Sequence, residues 1–422
     1  MGVAFIRGLA REQTSKLGNF RVDMVRSVLW ILLPLSLLGS MLLVWQGVPM
    51  NWHSYIRSTS LNGGQQVIPQ GPVAALEIIK NLGTNGGGFF NANGAHPYEN
   101  PTPLSNFIEM LAIVLLPAAF TNTFGRMIGE PRQGWMLFNV MVALFVAGLL
   151  LCGWAEQNGN VRLVQKQSLS VRAHKGQSGG NMEGKEVRFG VGGSVLAAVA
   201  TSNAATGSVN SAHDSYTPLG GAVPLVNMLL EEIIFGGLGT GVYSIIMIAL
   251  VGLILAGSMI GRMPEYLGKK VGPLETKFVT LYALACPLAV LSVTALAVVT
   301  RAGLAGLVTN TGPHGFTEIF YAYTSCFANN GQSLAGLNAN SPFYNFTTAL
   351  VMMLGRFGLA IPVLALAGLF ARQIKRQERQ NAVPTDKPLF AILLIATALI
   401  LGGPSFLPAL TLGPVLQHLI GR

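Results

Sequence analysis

GTNGGGFF, Gly83–Phe90, sets three consecutive glycines beside Thr84 and Asn85 in a chain otherwise built from long apolar runs. Glycine reaches backbone conformations closed to other residues and lets backbone approach a ligand closely. Inside a bilayer, non-helical backbone survives only where it is buried in protein or lines a water-filled cavity. The stretch therefore predicts a cavity within a membrane protein.

The membrane setting follows from composition. Of 422 residues, 51% are hydrophobic and only 10% charged, a balance that excludes one large soluble core. Seven apolar windows stand out, at 24–48, 105–125, 134–154, 222–261, 278–300, 343–370 and 388–410. Most are near or above the ~20 residues a spanning helix needs. The window at 222–261 is about twice that length and contains FGGLGTG, Phe235–Gly241, which predicts a broken helix.

A net charge of +10 suggests nucleic acid at first, but the cations sit between the windows. Alternating the seven spans from a cytoplasmic N-terminus puts Arg7, Arg11, Lys16, Arg21 and Arg26 inside. The same holds for Arg126 and Arg132, for Arg262, Lys269, Lys270 and Lys277, and for Arg372, Lys375, Arg376, Arg379 and Lys387. This positive-inside bias predicts lipid and not nucleic acid as the surroundings, with the C-terminus outside. The segment 156–190 runs against it, carrying Arg162, Lys166, Arg172, Lys175, Lys185 and Arg188. The basic N-terminus leads into a span-length window without a small-residue cleavage site, so no cleavable signal is expected. Cys152, Cys286 and Cys326 lack CxxC spacing and are expected as buried thiols.

The glycine stretch has relatives within the chain. GTNGGGFF at Gly83, TSNAATGSV at Thr201 and CFANNGQS at Cys326 each lead through small or amide residues to a glycine, at Gly86, Gly207 and Gly331, spaced by 121 and 124 residues. A hydroxyl residue, proline and an apolar residue follow each, as Thr102-Pro103-Leu104, Thr217-Pro218-Leu219 and Ser341-Pro342-Phe343. A Gly-Arg pair comes later in each unit, at Arg126, Arg262 and Arg356. The shared order predicts an all-α polytopic membrane protein of pseudo-repeats, each a helix, a re-entrant pore loop and a helix. The first half-helix is expected over 71–82 and the third over 313–327. Such loops let backbone carbonyls replace the hydration shell of a cation. Thr84, Asn85, Gly86, Ala205, Thr206, Gly207, Asn329, Asn330 and Gly331 are the expected filter residues, with potassium there as the only metal. Glycine-mediated helix packing is the competing reading, but it needs only small-xxx-small spacing.

The strings GTNGGGFFNAN, ENPTPLSNF, NMEGKEVRFG, AHDSYTPLGG, GRMPEYLGKK, GPHGFTEIFYA, AGLNANSPFYN and GRFG resemble the channel-like A subunit of the bacterial Kdp potassium-importing P-type ATPase, from about Leu17 to the C-terminus. The resemblance implies the fold of the potassium-transporter superfamily, with four pseudo-repeats around one filter, in the bacterial inner membrane. It implies a separate KdpB-like P-type ATPase catalytic subunit that holds ATP and Mg2+, and small KdpC-like and KdpF-like accessory subunits. No cofactor is expected in this chain. Against four pseudo-repeats the chain supplies three, so the first repeat is expected either upstream in a longer gene or on another polypeptide. The units are expected as a cytoplasmic segment at 1–23, repeats at 24–133 (loop 71–90), 134–276 (loop 191–209, broken helix 222–261) and 277–387 (loop 313–333), and an extra helix at 388–422. The stretch 166–177 lies outside the resemblance.

Charges within the windows need an account, because a charge at that depth is costly and usually paired or functional. Glu231, Glu232 and Arg356 either steer ions towards the ATPase partner or form a structural ion pair between broken helices. Glu77 and Lys80, three apart on the first half-helix, predict a local pair. Glu318 either enriches cations or makes a structural hydrogen bond, His314 is expected in a loop, and His213-Asp214 is expected to anchor the second loop without a metal. There is no GxxxxGK[ST] and no DKTG; GGLGTG lies in an apolar span without a βαβ context. Energy is therefore expected from a partner. The competing functions are a stand-alone potassium channel or secondary transporter, and a non-conducting assembly subunit.

Overall fold

The computed structural model describes residues 1–159, 172–173, 178–261, 263–375 and 384–420. Arg262, Arg376, Arg379 and most of the basic stretch 166–177 lie outside the described residues. Helices dominate, with two short antiparallel hairpins, Ile56–Thr59 with Gln65–Ile68 and Glu265–Tyr266 with Lys269–Lys270. Seven helices are long and apolar enough to cross a bilayer. They are α2 (Phe20–Trp45), α4 (Pro103–Ile128), α5 (Pro131–Asn158), α8 (Thr240–Ile260), α9 (Pro273–Val299), α11 (Pro342–Arg372) and α12 (Pro388–Ile420). Between them lie the short α1 (Gly2–Ala10), α3 (Val73–Leu82), α6 (Gly190–Asn203), α7 (Pro218–Leu229) and α10 (Gly312–Ala328).

The repeated hydroxyl-proline motif is a helix start. Thr102, Thr217 and Ser341 are the N-caps of α4, α7 and α11, each accepting the N–H three residues on, at 3.0, 3.1 and 3.3 Å. Proline follows at the first helical position, where its missing donor costs nothing. The motif thus launches the helix that leaves each glycine loop.

The Gly-Arg pairs, by contrast, are not equivalent. Gly125 lets α4 and α5 approach as a hairpin, with Gly134 Cα 3.1 Å from where a Gly125 Cβ would stand, and Arg126 is exposed in the last turn of α4. Gly355 packs on the end of α10, where a Cβ would collide with the Phe327 carbonyl.

Two sequence expectations change. The first residues of the 1–23 segment form α1, whose Phe5, Ile6 and Leu9 are buried in the main core against α4, α8 and α11. Gly8 comes so close to Ala367 that a Cβ would stand 2.7 Å from its Cα. Nine residues are too few to register as a hydrophobic window. The last helix, expected over 388–422, kinks at Gly413 and runs to Ile420. His314 is not in a loop: it sits buried in the first turn of α10.

The segments read as cytoplasmic meet at one end. Lys269 Nζ donates to the carbonyls of Arg11 and Gln373, both at 2.8 Å, and the Lys375 N–H donates to Glu12 at 3.0 Å. In the discordant segment, Lys185 is paired with buried Glu156 at 2.7 Å and Arg188 with Glu186 at 2.6 Å. Both side chains are thus fixed in local structure.

Candidate functional site

The three short helices α3, α6 and α10 end in the same way. One or two residues past each, at Thr84, Ala205 and Asn329, the backbone turns left-handed, with φ of 51°, 53° and 53°. The next N–H, on Asn85, Thr206 or Asn330, reaches back five residues to the carbonyl of Lys80, Thr201 or Ser325, at 2.9, 3.4 and 3.0 Å. This is the long bond of a Schellman-type helix end, whose left-handed residue is usually glycine. Here it is a threonine, an alanine and an asparagine, a strained choice for the first two. A glycine with positive φ follows in each loop, Gly86 at 67°, Gly207 at 68° and Gly331 at 97°.

The loops lie against one another in chain order. A Cβ on Gly86 would collide with the Thr206 carbonyl oxygen, and one on Gly207 with the Asn330 carbonyl oxygen. Around Gly331 only the Gly207 Cα, at 3.9 Å, comes within 4 Å of the same position. The Asn330 side chain locks the third loop to the second by donating to the carbonyls of Thr201 and Ser202, at 3.0 and 3.2 Å. The Asn329 amide donates to the Met352 carbonyl of α11 at 3.2 Å. The nine residues singled out by sequence therefore sit together, as three copies of one backbone device.

Beneath them opens a cavity of about 350 Å³, lined by Gly83–Asn85, Ala205 and Phe327–Asn329. Three helix C-termini thus converge on one space, and each carries about half a negative elementary charge from its unpaired carbonyls. Glu231, Glu232, Thr240, Tyr243, Ser244 and Arg356 line the same cavity. The two glutamates occupy the break between α7 and α8, with φ of 56° and 59°. Arg356 lies in a π-helical turn of α11, Leu354–Gly358, placed under the third loop by the close approach of Gly355. Its charge acts on Glu232, but among the described residues it forms no ion pair within 4 Å with either glutamate. The expectation of a structural ion pair is thus not met.

Behind the first loop, Glu77 and Lys80 pair at 2.6 Å, both buried, and Glu99 accepts the Phe89 N–H. Breaking a buried pair strands the remaining charge, so Lys80→Met is expected to cost about 3–5 kcal/mol of stability. Glu77→Leu/Lys80→Met together should recover most of it. Thermal unfolding of the purified protein checks this, and an equal midpoint for Lys80→Met and wild type would show that the pair carries no such role.

The acid-imidazole cluster at the other face is a polar lock. Asp214, His314 and Glu318 bring their ligand atoms within 4.8 Å of one another. Both nitrogens of His314 are engaged, Nε2 with Asp214 at 2.7 Å and Nδ1 with Gln417 at 2.7 Å. Burial pulls the His314 pKa down, but the hydrogen bond and charge of Asp214, aided by Gln417 and Glu318, outweigh it and hold it above the ordinary value. Glu318 accepts from Asn310 at 2.7 Å, the structural hydrogen bond among its two readings. His213 is buried and held neutral, its pKa pushed down to about 4 by desolvation and by Lys185. Sequence reasoning passed over Tyr321 and Gln332, which share that neighbourhood; nothing in their spacing marks them.

A model of the family described as the potassium-transporting ATPase A subunit matches residues 1–419. The potassium-transporting ATPase potassium-binding subunit of Methylobacterium nodulans is 52% identical over 421 residues, covering 100% of this chain and 72% of the relative. The subunit of the same name from Mesorhizobium japonicum is 50% identical over 419 residues, covering 99% and 72%. That from Acidobacterium capsulatum is 46% identical over 439 residues, covering 100% and 73%.

Proposed function

The chain belongs to the family of potassium-transporting ATPase A subunits, and from that premise we propose that it binds potassium at its glycine loops and passes it on within an ATP-driven complex. One observation carries the reading: three loops share one strained backbone geometry and abut through carbonyls above one cavity. Left-handed turns at Thr84, Ala205 and Asn329, each with glycine two residues on, leave carbonyls free to point inward. Carbonyls of Thr84–Gly86, Ala205–Gly207 and Asn329–Gly331 then replace water around the ion. Potassium filters close such a ring with four loops, and the side between Gly331 and Gly86 is where further ligands complete it.

Below the ring, the converging helix ends and Glu231 and Glu232 hold the dehydrated cation, while Arg356 bars direct passage. Hydrolysis of ATP with Mg2+ belongs to a separate P-type catalytic subunit, and small accessory subunits complete the assembly. The basic residues meeting near Lys269 support a cytoplasmic N-terminus, and the odd number of spans then puts the C-terminus outside. The repeats divide at about residues 133 and 276.

The test is ion-stimulated ATP hydrolysis by the purified complex carrying this subunit. Wild type should respond to potassium and not to sodium. Gly331→Asp, which sets a carboxylate at a φ of 97° beside Gly207, should lose that preference by about tenfold or more. An assembled variant with unchanged ion preference would remove the filter from these loops.

A further inference from the structure

Gln332 directly follows the third filter glycine and is buried. Its carbonyl Oε1 accepts from the hydroxyl of Tyr321, on α10, at 2.5 Å. The same hydroxyl meets Nδ1 of His213 at 3.3 Å. Since Tyr321 donates its one proton to Gln332, its lone pair receives the Nδ1–H of His213, which fixes the imidazole tautomer. His213 in turn packs edge-on against Tyr216, ring centroids 5.1 Å apart, in the segment leaving the second loop. The chain of donors runs from the second repeat, through a pore helix, to the outer end of the third filter loop.

We propose that His213, Tyr321 and Gln332 form a clamp between repeats that sets the spacing of the third filter loop, making Tyr321 a positioning residue for potassium selectivity. The inference rests on the filter reading above. A loop of glycine and amide backbone has little stiffness of its own. A hydrogen bond from a packed tyrosine supplies it without touching the ion, and the rigid rotamer of Tyr321 sets how far Gly331 stands from the axis. Losing the hydroxyl leaves Gln332 Oε1 without its donor in a buried setting, where the loop relaxes instead of staying in register.

Tyr321→Phe in the complete complex should raise the potassium concentration for half-maximal ATPase stimulation about tenfold. It should also narrow the discrimination of potassium from rubidium and sodium, while turnover at saturating potassium is retained. His213→Leu should do the same. His213→Asn, whose amide can still donate to the tyrosine hydroxyl, should stay near wild type, an outcome that a merely space-filling role would not give. Unchanged half-saturation and discrimination in assembled Tyr321→Phe overturn the clamp, and so does failure of both Tyr321→Phe and His213→Leu to assemble. If Gly331→Asp alters ion preference while Tyr321→Phe does not, only the clamp falls; if neither does, the filter reading itself falls.

Discussion

Gly86→Ala and Gly207→Ala are expected to abolish high-affinity potassium stimulation, with half-saturation rising by about a hundredfold. Two costs add. Each glycine has φ near +67°, where an L side chain costs on the order of 1–3 kcal/mol. Each also abuts the next loop, so that a single methyl collides with the carbonyl oxygen of Thr206 or Asn330. The obstacle is backbone, and it is the same backbone proposed to ligate the ion. Relief of the clash therefore turns a ligand away from the axis.

Gly87 separates the two costs. Its φ is 91°, but nothing lies within 4 Å of where a Cβ would stand. Gly87→Ala should carry the strain alone and show a far smaller loss, about tenfold or less. Ion-stimulated ATPase titrations on the assembled complex decide it. If Gly86→Ala and Gly87→Ala behave alike, the packed carbonyls of the second loop are not part of the binding ring.

Much of this architecture is legible in the sequence because it is repeated. Gly86, Gly207 and Gly331 stand out through common spacing, and the hydroxyl-proline starts at Thr102, Thr217 and Ser341 through local capping chemistry. Apolar length gives the spans. What is not legible has a common cause: it depends on contacts distant in sequence or on a residue used against its preference. Thr84 and Ala205 take a left-handed turn that usually falls to glycine, and only the long bonds to Lys80 and Thr201 reveal it. The nine-residue α1 carries too little hydropathy to be seen, yet Phe5, Ile6 and Leu9 fill the main core. His314 follows Pro313 and is expected in a loop, but Gly312 and Pro313 open α10 and place His314 in its first turn. The Gly-Arg pairs mislead in the other direction, since identical dipeptides serve a helix hairpin at Gly125 and the cavity wall at Gly355.

Arg356→Gln should uncouple transport from hydrolysis while leaving potassium binding largely intact. Among the described residues lining the cavity it is the only cation, opposite Glu231 and Glu232. Its place in a π-helical turn beneath the third loop sets it in the wall of the cavity under the proposed ring. Holding a bare arginine at this depth costs about 2.5–3.5 kcal/mol unless water or protein meets it, and the cavity is what meets it. On the proposed route, a fixed positive charge repels potassium from straight passage and leaves the acidic break between α7 and α8 as the favourable exit. Neutralisation removes that barrier without altering the filter above. The expected result in proteoliposomes is a several-fold fall in potassium moved per ATP hydrolysed, with half-saturation for potassium changed by less than about threefold. Arg356→Lys, which keeps the charge, should retain coupling. If Arg356→Gln transports with the wild-type ratio, the charge is not the barrier, and the gate is then sought in the turn from Leu230 to Gly239, where Glu231, Glu232 and Phe235 hold positive φ.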